Sequence, residues 1–158
     1  DNMKELIRNN PTNPFYKELI GEIYFANNDY INAVNSQKSA IELIDQANDL
    51  YFMMIGNYLL NFEKKKQSLE AIEYLKKSIH LNSSNAYAWY LLSRAYAQTG
   101  SIPLANYATA ERYFISGERQ LSYEFALKAL KHIEEYSPEW YRSNDLIEIL
   151  KKDVSSNR

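Results

Sequence analysis

The chain has 158 residues, 46% hydrophobic and 24% charged, with a formal net charge of -2. This is the composition of a globular domain of ordinary size, and the near-neutral balance argues against a nucleic-acid surface, which wants a basic face. The absence of cysteine excludes a disulfide framework, a thiolate zinc site and a cysteine nucleophile, and no apolar run approaches the length of a membrane span.

Only four glycines and four prolines interrupt a chain rich in Ala, Leu, Ile, Lys and Glu, which favours helix throughout. At the start, Leu6 and Ile7 read as the end of a helix that Pro11 stops. The segment 1–13 is then the tail of a preceding helix with native chain ahead of Asp1, although a short N-terminal cap helix fits the same residues. Asn13 followed by Pro14 is an N-cap with proline at the first helical position. A first helix pair is expected over 14–47, with Gly21, Tyr24, Ala33 and Ala40 at its small and aromatic positions. Asn27-Asn28-Asp29 forms the turn, and Asp29 caps the second helix. A second pair, over 49–85, carries Ile55, Gly56, Ala71, Leu75 and Ile79. Here Gly56 and Ala71 lie fifteen residues apart, against twelve for Gly21 and Ala33; the extra length is assigned to a solvated turn at Lys64-Lys65-Lys66.

The clearest stretch opens the third pair, 86–119. Trp89, Leu92 and Tyr96 fall at i, i+3 and i+7, one stripe of a helix, and Gly100 marks its end. Ser93 and Ala105 are small enough for the two helices to approach closely. Ser101 is an N-cap candidate with Pro103 in the first turn. The phase then becomes double. Residues 104–116 should be the second helix of this pair, yet Tyr113, Gly117, Ser122, Ala126 and Ala129 make the same segment the first helix of an overlapping fourth, about 103–136. The segment 119–135 packs on it through Leu121, Phe125, Leu130 and Ile133. Ser137-Pro138 starts a last helix over 138–152, with Trp140, Ile147 and Leu150 inward, and 153–158 reads as a frayed tail.

Trp89-x2-Leu92-Ser93-x2-Tyr96, with its weaker echoes along the chain, resembles the tetratricopeptide (TPR) pattern W-x2-L-G-x2-Y, with Ser for Gly. The resemblance implies an all-α fold, a right-handed superhelical solenoid of antiparallel helix pairs with about seven to nine helices and a C-terminal capping helix. A single TPR domain over 14–152 follows. Asn13-Pro14-Phe15-Tyr16, Gly21-Glu22-Ile23-Tyr24-Phe25, Ala108-Thr109-Ala110-Glu111-Arg112 and Ser137-Pro138-Glu139-Trp140 look, together, like the C-terminal TPR domain of BepA-like bacterial zinc metallopeptidases of the periplasm. That resemblance implies a non-catalytic part of a chaperone-protease, periplasmic, with outer-membrane protein clients and an upstream protease domain as partners. The family's His-Glu-x-x-His zinc helix is not in this sequence, so no catalytic residue carries over.

The residues themselves offer no chemistry. His80 and His132 lie on different predicted helices, whereas a zinc site needs three or four ligands that converge. There is no phosphate-binding glycine loop and no nucleophile elbow, so the expectation is no cofactor, no metal and no enzymatic activity. In the TPR family the first helices line a concave groove. Its helix positions here would present Phe15, Glu18, Glu22 and Phe25; then Leu50, Met53, Asn57 and Leu60; then Tyr87, Tyr90, Arg94 and Gln98. Aromatic, Met and Arg side chains suit a binding surface, so the expected function is to bind polypeptide segments or partner proteins. The alternative is a stand-alone co-chaperone-type adaptor that clamps peptide C-termini. Asn57 and Arg94 fit such a clamp, but Glu18 and Glu22 would repel a carboxylate and Tyr90 replaces a lysine.

Overall fold

A computed structural model describes residues 12–156, with Glu5, Asn9 and Asn10 ahead of them, and side chains as far as Lys151. Leu6, Ile7 and Pro11, on which the reading of the N-terminal segment rests, lie outside the described residues, as do Asn157 and Arg158. From Pro14 onward the chain is eight helices: α1 Pro14–Ala26, α2 Tyr30–Glu42, α3 Asp49–Leu60, α4 Lys65–Leu81, α5 Ala86–Thr99, α6 Ile102–Ile115, α7 Arg119–Leu130 and α8 Pro138–Ser156. The all-α, helical-hairpin architecture is the expected one. The helices group into two compact units, Asp1–Leu81 and Asn82–Arg158.

Most helix starts follow from side chains that spend themselves on orphan amides. The Oδ1 of Asn13 accepts from the Phe15 N–H at 3.0 Å, and that of Asp29 from the Asn32 N–H at 3.2 Å. Asn48 does the same for Leu50, and Asn85 for both Tyr87 and Ala88. The Oγ of Ser137 accepts from the Trp140 N–H at 3.2 Å. Three expectations need correction. Ser101 occupies the N-cap position of α6, but its side chain makes no capping bond; its Oγ lies 3.3 Å from Thr99 Oγ1 instead. Lys65 and Lys66 are not turn residues: they are the first two residues of α4, because the turn already closes at Glu63, whose φ is +53°. The last helix runs to Ser156, four residues past its expected end.

Three of the hairpin turns are built alike. The carbonyl of Tyr24 accepts from the Asp29 N–H at 2.9 Å, that of Tyr96 from Ser101 at 2.8 Å, and that of Tyr113 from Glu118 at 2.9 Å. In each, the residue between is left-handed: Asn28 at φ +60°, Gly100 at +86° and Gly117 at +77°. This is a Schellman-type helix end, which glycine or asparagine satisfies at least cost. A small residue three before each tyrosine (Gly21, Ser93, Ala110) and another nine after it (Ala33, Ala105, Ser122) lie where the paired helices meet. The Ser122 hydroxyl donates to the Ala110 carbonyl at 2.9 Å across one such contact. The second and third of these turns are only seventeen residues apart, half of the thirty-four of a TPR. Helix α6 is therefore the second helix of one hairpin and the first of the next.

In the first unit the core is Ala33, Val34 and Ala40 of α2 with Ile55, Leu59, Leu60, Ala71, Ile72 and Leu75 of α3 and α4. In the second unit α6 packs on α5, α7 and α8. Trp89 and Tyr96 are buried as expected. The Trp89 indole N–H donates to the Ser83 carbonyl at 2.9 Å, and its ring meets Tyr107 edge-on. Ala110, Ala126, Leu146 and Leu150 form the other half of this core, with Phe114, Tyr123, Phe125 and Ile147 against it. Leu150 and Ile147 thus point inward as expected, while Trp140 is half-buried.

Candidate peptide-binding site

The predicted contact residues fall in both units, and each unit presents its own surface. In the first, Glu18 and Glu22 of α1 stand near two tyrosines of α3. The Tyr51 hydroxyl is pushed above its ordinary value by burial, then by the charge of Glu18 and a hydrogen bond to it. Tyr58 is fully buried and is pushed up further, again by burial first and then by Glu22 and Glu18. Its hydroxyl has no hydrogen-bond partner among the described residues. Phe25 stacks on Tyr58 with ring centroids 4.7 Å apart and leans on Tyr30 at 5.7 Å, so one face of it is already used in packing. Phe15 is 68% exposed. Met53 and Asn57 are half-buried, and the Asn57 carbonyl accepts from the Asn61 side-chain amide at 2.8 Å. Leu50 is exposed, but Leu60 is fully buried. That last assignment to the groove was wrong, because Leu60 lies one helical turn beyond Gly56 and so shares its core-facing stripe.

In the second unit the structure brings the predicted residues together and adds to them. Tyr87, 49% exposed, lies beside Tyr90 with ring centroids 5.7 Å apart. The Arg94 guanidinium is 6.0 Å from the Tyr90 centroid, and that of Arg112 is 5.0 Å from Tyr90 and 5.2 Å from Tyr113. Tyr113 leans on Phe125 at 5.6 Å, and the Lys128 Nζ lies 4.4 Å over the Phe125 ring. An open cavity of about 320 Å³ is lined by Ala86, Tyr87, Tyr90, Arg112 and Ser116. Arg112 and Tyr113 were missed as contact residues because only first helices were searched. The signal was present, since the double phase of α6 makes it a first helix as well.

Elsewhere, Glu111 of α6 is 4% exposed and takes both ends of the Arg142 guanidinium, at 2.6 Å and 3.1 Å. His80 and His132 are exposed. Among the described residues no three His, Asp or Glu side chains are grouped as a metal would need, and no helix is long and apolar enough to cross a membrane.

A model of the ChAPs (Chs5p-Arf1p-binding proteins) family matches residues 2–109. The chain belongs to the ChAPs family. The match runs through the whole first unit and α5 and ends inside α6, so the Tyr87, Tyr90 and Arg94 positions lie within the ChAPs segment while Arg112 and Tyr113 lie just beyond it. No curated protein matches the chain. Among solved structures the chain is similar to the crystal structure of MamA, with a TM-score of 0.67 at 18% identity over 98% of this chain and 86% of that one. A MamA RS-1 ArsTM double mutant gives 0.68 at 17% identity, over 98% and 84%. YrrB, a TPR protein with an unusual peptide-binding site, gives 0.53 at 17%, over 95% and 80%. At such identities these likenesses show the fold alone, a TPR-like helical repeat.

Proposed function

We propose that this chain is a non-catalytic scaffold that binds extended or helical segments of other polypeptides on the first helices of its hairpins. The observation that carries the reading is the pair Tyr87 and Tyr90, lying side by side at the rim of an open cavity, with Arg94 against the second ring. Aromatic rings that need no further packing offer large apolar area at small entropic cost, as binding hot spots do. Membership of a family described as binding Chs5p and Arf1p supports a protein partner.

In its finer form the proposal makes this chain the C-terminal domain of a periplasmic zinc metallopeptidase that presents outer-membrane protein clients. The support is the resemblance of the four sequence strings. Their weight is reduced by the packing duties of their residues: Ala108 and Ala110 are buried, Glu111 holds Arg142, and Ser137 caps α8. The co-chaperone alternative, a clamp on peptide C-termini, is disfavoured by Glu18 and Glu22, which put negative charge where that clamp needs cations.

Titration with unfolded outer-membrane protein segments, and separately with short peptides ending in an acidic carboxylate motif, tests the reading. Segment binding should be lost in the Tyr87→Ala, Tyr90→Ala double variant with the helical circular dichroism intact. Unchanged segment binding in that variant overturns the proposal, and binding of the acidic C-terminal peptide alone would favour the clamp.

A further inference from the structure

Three arginines of the second unit, Arg94, Arg112 and Arg142, lie beside aromatic rings, and the consequence depends on what their N–H donors do. Arg142 is the internal comparison: its guanidinium lies 5.6 Å over the Phe114 ring and its donors are spent on Glu111. Arg94 and Arg112 are held over tyrosines in the same way, but neither they nor Lys128 forms an ion pair among the described residues. The carboxylates of α6, α7 and their turn do not supply one: Glu111, next to Arg112 in sequence, is taken by Arg142. Glu118 sits exposed at the α6–α7 turn, and Glu124 takes the Gln120 side-chain amide at 2.8 Å. A guanidinium beside a ring still has a fork of N–H donors that can match a carboxylate bidentately. Two guanidiniums, of Arg94 and Arg112, and the Lys128 ammonium, spaced by tyrosine and phenylalanine rings across α5, α6 and α7, make a surface complementary to negative charge that also offers apolar area.

We propose that this face, centred on Arg112 between Tyr90 and Tyr113, binds an acidic polypeptide segment, its carboxylates on the guanidinium edges and its apolar side chains on the tyrosine rings. The inference rests on the polypeptide-binding reading and adds the chemical class of the partner. It is specific to the second unit, because Glu18 and Glu22 give the first unit's surface the opposite sign.

The probe is a short fluorescein-labelled peptide rich in Glu with a central Phe and Leu, followed by anisotropy against the full chain. Two competitors complete the set: the same peptide with Lys for every Glu, and a single-stranded oligonucleotide. The acidic peptide should bind at least about tenfold more tightly than the lysine peptide, and its affinity should fall as salt is raised. Arg112→Ala should weaken it about tenfold. Arg112→Lys should recover only part, because the ammonium keeps the charge and loses the planar fork of donors. Unchanged helical circular dichroism in both variants keeps a folding defect apart from a binding one. Equal binding of the two peptides, an Arg112→Glu variant that binds the acidic peptide as the parent does, or preference for the oligonucleotide overturns the inference. If segments bind without regard to charge and only the tyrosine variants weaken them, the polypeptide-binding reading stands and this inference alone falls. If no peptide binds, both fall.

Discussion

Gly56 lies against Leu75 with no room for a side chain: a methyl group on Gly56 would stand 2.6 Å from Leu75 Cγ and 2.7 Å from Cδ2. Leu75 is fully buried, so its branch point cannot step aside without moving the helix. Gly56→Ala should therefore destabilise the protein by about 1–3 kcal/mol despite the better helix propensity of alanine. The contrast is Gly21, where a methyl would meet only the Ala33 carbonyl, at 3.3 Å, and ordinary contacts beyond it. Gly21→Ala should cost less than about 1 kcal/mol, with the propensity gain offsetting the crowding. Urea unfolding of both variants checks the order, and in Leu75→Ala the penalty of Gly56→Ala should largely vanish.

Trp89 combines burial with a polar anchor, since its indole donates to the Ser83 carbonyl while the ring packs on Tyr107. Trp89→Ala should cost about 3–5 kcal/mol. Trp89→Phe isolates the hydrogen bond and the extra ring, and should fall well below that cost. Chemical unfolding followed by circular dichroism measures both. A loss under about 1 kcal/mol for the alanine variant would contradict the placement of this ring.

Alkaline pH should unfold the protein through its tyrosines. Burial, and after it the nearby carboxylates, raise the Tyr58 and Tyr107 hydroxyls above the ordinary tyrosine range. In the unfolded chain each proton leaves near pH 10. Above that pH the native state holds protons that the unfolded state has released, so stability falls as pH rises, and below it these groups contribute no slope. Tyr58→Phe should flatten the alkaline decline. Because the Tyr58 hydroxyl is buried with no partner among the described residues, the same variant should be as stable as the parent at neutral pH, or about 1 kcal/mol more so. Thermal unfolding across the alkaline range, parent against variant, reads both effects.

The Glu111–Arg142 pair should be asymmetric. The Glu111 side chain is 6% exposed and that of Arg142 37%. Removing the arginine leaves a buried carboxylate alone, whereas removing the glutamate frees a guanidinium that reaches water. Arg142→Ala should therefore cost about 3 kcal/mol and Glu111→Ala about half of that. Equal costs in denaturant unfolding would show that the charge of Glu111 is not what needs Arg142.

Much of the fold could be read from local signals. Asn13, Asp29 and Ser137 carry their capping role in their chemistry, and Gly100 and Gly117 mark helix ends that need a left-handed residue. Trp89 and Tyr96 follow from helical periodicity. Ser101 misled because position and residue type both favour a cap, while only the finished turn decides where its hydroxyl points. The lysine run misled because three exposed charges read the same in a turn and in a first helical turn. At the candidate site the exposed rings, Phe15 and Tyr87, were legible from helix offsets, but Leu60 was not: its offset and its burial conflict, and packing against the next helix settles that. Arg112 was missed for a different reason: α6 was not searched as a first helix, although its double phase marks it as one.

The sharing of α6 between two hairpins also bears on how such a chain can change over generations. An array of separable hairpins lengthens or shortens by whole repeats, because each insertion or deletion leaves its neighbours intact. Between Ala86 and Leu130 no such cut exists. Excising one hairpin there removes half of the other and strips Ala126 and Ala129 of the helix that covers them. This stretch can drift residue by residue, but its repeat number is locked, and recombination at its turns should yield chains that do not fold.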